Sequence, residues 1–229
     1  MYSFVSYMET GLVIWYPQVG MHALPRALQQ LCEKLGVTIR LNTPINQILV
    51  YHGKVQGVEL TDKQVIKCDI VISNADLTYS YRELVDAKHR PKMSDKKTAK
   101  LKQASSALLF YWGVDHDLPE MLHHNVYFSD DFKHNLNEIF HEKKLPDDPA
   151  FYVYIPTKTD PSLAPMGKHV LYILVPVPNL QSDIDWDAAV EKTRARVLER
   201  MKTIMKLDLK KHIKTEAVFT PEDFLTKYN

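Results

Sequence analysis

Four tyrosines, Tyr111, Tyr152, Tyr154 and Tyr172, carry the spacing that says most about chemistry in this sequence. They fall in a run over 104–113 that is dense in aromatics and in runs over 151–155 and 170–177, all of which read as strands. Alternation along a strand places Tyr152 and Tyr154 on one side and Phe151, Val153 and Ile155 on the other. If the strands are neighbours, the rings make an aromatic surface suited to a long apolar ligand. The competing reading is a half-exposed sheet with its phenols in water. Asn74-Ala75-Asp76 ends another strand ahead of a helical stretch, where Asn and Asp are ordinary caps and turn formers. His123-His124 has no third ligand at a matching spacing, so it reads as part of an irregular polar loop and no metal site is expected. Lysines 92, 96, 97, 100 and 102 read as a solvated helix face, with contact to anionic headgroups as the alternative. There is no Gly-rich phosphate loop, no HExxH and no GxSxG, and no side chain qualifies as a catalytic acid or base.

The elements that must hold these residues follow from periodicity. Leu24, Ala27, Leu28, Leu31 and Leu35 share a face at helical spacing, and Gly36 stops that helix. Residues 37–41 read as a strand. Three further strands, 45–51, 55–60 and 65–73, are separated by turns at His52-Gly53 and Thr61-Asp62. Residues 78–102 read as helical. A long irregular stretch precedes strand 151–155, and the polar turn 157–168 leads to strand 170–177. Asp183 or Asp185 caps a last long helix with an inner face of Val190, Val197, Met201 and Ile204, and 215–219 is a final strand. The fold class is therefore α/β (α+β), without internal repeats.

Composition narrows the function classes. Basic residues number 29 against 28 acidic ones, which argues against nucleic acid as the main partner. Two distant cysteines, Cys32 and Cys68, make neither a disulfide framework nor a zinc pattern and suit a reducing compartment. The opening residues have no signal-peptide character, and the longest apolar run, 170–177, is too short to span a bilayer.

Several motifs in one order carry a family resemblance. Trp15-Tyr16-Pro17-x-x-Gly20 resembles the WYP-x-GG segment of bacterial and fungal phytoene (carotenoid) desaturases, with Val19 where the first glycine is usual. Leu35-Gly36-Val37 through Asn42-Thr43-Pro44-Ile45 resembles the segment that follows it, and Ile70-Val71-Ile72-Ser73-Asn74-Ala75-Asp76-Leu77 resembles VVxNADL. Ser105-Ser106 to Gly113, His124 to Tyr127, Pro149 to Val153 and Asp160 to Gly167 continue the match over almost the whole chain. The resemblance implies an incomplete amine-oxidase-like FAD-binding fold with a mixed-sheet substrate domain. It implies a lead-in over 1–15, part of the FAD domain over 16–77, the substrate domain over 78–178, and a helix and strand returning toward the FAD domain over 179–229. Ile45, Asn74, Ala75 and Asp76 are then the flavin-contacting positions, and Tyr111, Tyr152, Tyr154 and Tyr172 the substrate-contacting ones. The implied activity is FAD-dependent desaturation of a long apolar C40 polyene by an enzyme resting on the cytoplasmic side of a membrane. Such an enzyme also has an opening GxGxxG turn and a closing flavin segment, neither of which occurs in this sequence, so the chain reads as a central fragment. The alternatives are a remnant or lipid-binding fragment without bound flavin, or a related flavoprotein acting on another lipid or an amine.

Overall fold

The computed structural model describes residues 7–12 and 15–228; of the expected lead-in, residues 1–6 and 13–14 lie outside them. The first helix, α1, runs Ala23–Lys34, and Gly36 (φ 77°) ends it, with the Val37 N–H returning to the Cys32 carbonyl at 2.9 Å. A three-stranded antiparallel sheet follows: β1 (Ile45–Tyr51), β2 (Lys54–Leu60) and β3 (Val65–Lys67) in the order β1-β2-β3. Gly57 (φ 149°) lets β3 approach, because a Cβ there would run into the Ile66 carbonyl oxygen.

Five strands form the second sheet. β4 (Ser106–Val114), β5 (His124–Tyr127), β6 (Phe151–Tyr154), β7 (His169–Val177) and β8 (Ile213–Phe219) lie in the order β5-β6-β7-β4-β8. A short helix, α2 (Phe132–Asn137), follows β5. The twenty-residue α3 (Trp186–Met205) and α4 (Pro221–Tyr228) flank β8 in sequence. One face of the sheet is the core: Leu108, Phe110, Trp112, Val153, Leu171 and Ile173 are fully buried, clustered with Trp186, Ala189, Val197 and Met201 of α3. Removing such side chains from water, at about 25 cal/mol per Å², is the main stabilising term for this half of the chain.

Several sequence expectations change. All observed pairings are antiparallel, so the sheet expected to be mixed is not. Residues 37–41 form no strand, since no described segment pairs with them, and Leu41 is 79% exposed. The strand expected over 65–73 stops at Lys67, where its three partners on β2 run out. Residues 78–102 break into short turns because Asp76, Asp86 and Ser94 each start a new one and Pro91 interrupts. The stretch read as irregular holds β5 and α2, and His124 opens a strand instead of lying in a loop. Asp185, not Asp183, caps α3 by accepting from the Asp187 and Ala188 N–H groups. Ile204 is 51% exposed, and the inner face runs through Trp186, Ala189, Thr193, Val197 and Met201. Strand β8, expected to lead away, pairs with β4 along six residues.

Candidate functional site

Because the core takes one side of the five-stranded sheet, strand alternation sends the other set of side chains to the opposite face. Tyr154 pairs with Tyr172, and Tyr172 with Tyr111, so these three stand in one row across β6, β7 and β4. Tyr152 sits one pleat along, opposite Leu174. The ring centroids of Tyr111 and Tyr172 are 5.2 Å apart, those of Tyr154 and Tyr172 6.3 Å, and those of Tyr152 and Tyr172 6.4 Å. The structure thus brings all four sequence-singled tyrosines together. The row continues to Phe219 on β8, 6.0 Å from Tyr111. At the other edge His124 on β5 stacks on Tyr152 and Tyr154 and shares a 2.6 Å hydrogen bond with the Tyr152 hydroxyl.

A strap crosses one end of this row. Trp15, Tyr16 and Met21, from the segment leading into α1, face His123, His124, Tyr152, Tyr154, Thr159 and Tyr172 across a cleft of about 530 Å³. Tyr16 packs edge-on against His123 at 5.0 Å and against Tyr154 at 6.2 Å. His123 shares a hydrogen bond with the Thr159 hydroxyl through Nδ1. Two consecutive positive-φ residues, Val19 (62°) and Gly20 (86°), turn the strap, and the Val19 N–H donates to Asp160 Oδ2 at 2.7 Å. Sequence reasoning did not place Trp15, Tyr16, Met21, His123, His124 or Thr159 at this site. The one usable signal was the aromatic pair before Pro17 and Gly20, an amphipathic knob ahead of a tight turn.

The cleft is electrostatically quiet. Burial, with Tyr111 and Tyr152 beside it, pushes the Tyr172 phenol up to about 12. Burial, and next the neighbouring Tyr16 phenol, holds Tyr154 well above the usual phenol range. The Tyr16 hydroxyl itself meets no partner in hydrogen-bonding geometry. Burial, then the adjacent His124, pushes the His123 imidazole down from its ordinary 6.5, which favours the neutral ring. Among the described residues no carboxylate or lysine lines this cleft, which can hold and orient an apolar molecule.

The second set of sequence-singled residues is elsewhere. Ile45 opens β1 opposite Leu60, and Asn74-Ala75-Asp76 precedes a short helical turn. Asp76 is that turn's cap: Oδ1 accepts from the Thr78 and Tyr79 N–H groups at 2.8 and 3.0 Å, and bonds to the Thr78 hydroxyl and the Tyr79 N–H hold its carboxyl below the usual range. Of the four, Asp76 lines a cleft of about 570 Å³ shared with Arg82, Ser105, Gln181 and Phe224. Among the described residues, no three His, Cys, Asp or Glu side chains gather as a metal site.

Comparison with known proteins bears on both halves. The profile of a family described as flavin containing amine oxidoreductase matches residues 1–227. A zeta-carotene-forming phytoene desaturase from Myxococcus xanthus is 40% identical over 230 residues, which cover 100% of this chain and 44% of that protein. A phytoene desaturase from Neurospora crassa is 35% identical, covering 100% of this chain and 40% of its own length. A 4,4'-diaponeurosporene oxygenase from Staphylococcus haemolyticus is 34% identical over 96% of this chain and 43% of its own length. The chain therefore spans less than half the length of these curated relatives. In the solved structure of an oxidoreductase from Methanosarcina mazei, 89% of this chain superposes on 43% of that one, with a TM-score of 0.63 at 20% identity. That likeness concerns the fold.

Proposed function

The chain belongs to the flavin-containing amine oxidoreductase family, and from that premise we propose that it supplies the surface on which a C40 polyene such as phytoene is held for FAD-dependent desaturation in carotenoid biosynthesis. The observation that carries this reading is the row of rings on the non-core face, Tyr154, Tyr172, Tyr111 and Phe219, continuous across the sheet. A polyene has no polar handle, so its binding energy comes from apolar area removed from water, at about 25 cal/mol per Å² spread over many contacts. The names of the Myxococcus and Neurospora relatives support the same substrate class.

Desaturation removes a hydride and a proton from adjacent carbons. FAD, when bound, supplies the hydride acceptor. This chain's part is to align the polyene and exclude water; the tyrosines stay protonated at neutral pH and none is assigned as an acid or base. The 229 residues contain no Gly-rich turn to cradle a pyrophosphate, and the Asp76 carboxylate is spent on its own cap. These residues do not make a flavin site by themselves. Within the proposal Ile45, Asn74, Ala75 and Asp76 form no more than an edge of one. No helix among the described residues is long and apolar enough to cross a membrane. A lipid-borne substrate makes peripheral contact with the cytoplasmic membrane face part of the same reading.

In a whole protein carrying this segment, Tyr152→Ala combined with Tyr154→Ala lowers polyene conversion by roughly tenfold, about 1.4 kcal/mol, while flavin stays bound. Tyr154→Asp is worse, because a desolvated carboxylate then faces hydrocarbon. Desaturated product and bound flavin are measured side by side. Unchanged product from Tyr154→Asp puts the substrate on another surface.

A further inference from the structure

The strap meets the ring row at one end only. Tyr16 contacts His123 and Tyr154, at the β5–β6 edge, and the row runs on through Tyr172 and Tyr111 to Phe219 at the β8 edge, where Lys227 Nζ lies 4.2 Å from the Phe219 ring and Phe224 packs beside it. A rod-shaped ligand lying along the row meets the Tyr16 ring at the β5–β6 end. At that end the Tyr16 hydroxyl and His123 Nε2 are both shut off from bulk solvent.

What keeps the wedge in place is a single carboxylate. Asp160 Oδ2 accepts the Val19 N–H at 2.7 Å, across 141 residues of sequence, while Oδ1 accepts the Ser162 N–H and hydroxyl. Gly20 lies against Leu163, so the turn rests on the segment that Asp160 caps. The bond is charge-assisted, and it grips the backbone between Tyr16 and α1, so losing it frees the strap without touching the cleft wall.

We propose that Tyr16 is an end stop that determines which polyene termini the cleft accepts, and that Asp160 is the positioning residue that latches it. The proposal rests on the polyene reading above and adds the determinant of selectivity. Adding bulk at the ligand's terminus pushes against Tyr16, whereas adding it elsewhere along the row does not. A wedge of this kind discriminates by about tenfold or more, the scale on which a packed apolar pocket rejects extra groups.

The test uses this chain and two polyenes of equal conjugation length, one with open-chain termini and one with ring termini, titrated by quenching of protein fluorescence. The unaltered chain binds the open-chain polyene about tenfold tighter. Tyr16→Ala and Asp160→Ala bring the ratio close to one, and Tyr16→Phe keeps it, since the hydroxyl has no partner. Asp160→Asn, with one oxygen left for two jobs, restores it in part. Ser162→Ala keeps it, since it removes only the hydroxyl bond to Oδ1 and leaves the Val19 N–H on Oδ2. Circular dichroism establishes that each variant is folded; if Tyr16→Ala does not fold, Asp160→Ala decides. Undiminished discrimination in folded Tyr16→Ala or Asp160→Ala, or none in the unaltered chain, overturns the end stop and leaves polyene binding standing. Failure of the unaltered chain to bind either polyene overturns both readings.

Discussion

Val19 holds a β-branched side chain at φ 62°, next to Gly20 at 86°. That backbone region crowds Cβ and costs about 1–3 kcal/mol for a residue other than glycine. Glycine relieves the crowding but loses roughly 0.5–1 kcal/mol to the unfolded chain's extra freedom. The expected balance is that Val19→Gly stabilises by about 1 kcal/mol, and thermal unfolding of the two versions measures it; a lower melting temperature for glycine would refute the account. Val19 is 67% exposed, so no lost packing offsets the gain. This strain was legible from the family resemblance of residues 15–20, because a β-branched residue stands where the first of two glycines is usual. The tyrosine row was legible for a related reason: a period of two assigns faces within a strand whatever the fold. His124 was not, because a polar pair beside a proline-rich stretch looks like loop until β6 supplies the partner for its backbone.

Besides its backbone ladder to β4, strand β8 is tied down by a polar knot on the core side. Glu216 Oε2 accepts the indole N–H of fully buried Trp112 at 2.6 Å and the Arg194 Nε–H of α3 at 3.1 Å, and Arg194 also sits 5.8 Å from the Phe110 ring. Strand, neighbouring strand and helix are joined at one carboxylate. Glu216→Ala leaves a buried indole N–H unpartnered and takes from Arg194 one of its two carboxylates, Glu191 remaining, and about 2 kcal/mol of stability goes with them. Glu216→Gln keeps an oxygen for Trp112 and loses about 1 kcal/mol, so urea unfolding of the two variants separates the bonds. Equal losses would mean that the indole bond contributes nothing. Elements defined by their own residues were readable: α1 by its leucine period and Gly36, β1–β2 by the His52-Gly53 turn. Elements defined by neighbours were not. Residues 37–41 have strand composition but nothing to pair with, and β5 has modest composition but a ready partner in β6.

At the scale of the molecule the two halves differ in kind. The five-stranded sheet and α3 share a continuous buried core, whereas α1 has no buried residue and shows Leu24, Leu28 and Leu31 each at least 50% exposed. An amphipathic helix with its apolar stripe in water is a surface awaiting cover. Nucleotide binding places further demands on that same half. A dinucleotide needs backbone N–H groups converging at a helix N-terminus, reached through glycines that let the chain pass close to the phosphates. Here α1 is entered from Gly20 and Met21 without a side-chain cap, and the short turn after Asp76 already has its N–H groups filled by the Asp76 carboxylate. Among the described residues this chain thus offers the family's cofactor no cradle. Purified alone, this 229-residue chain is expected to be colourless, with no flavin absorption band, and to bind added FAD no better than a mixture of its charged side chains does. The ring row lies on the well-packed half and does not depend on the cofactor, so polyene binding by the same preparation is expected to persist. A yellow preparation with stoichiometric flavin would show that loop 74–76 and β1 hold the cofactor without a Gly-rich turn, and the division of labour between the halves would have to be redrawn.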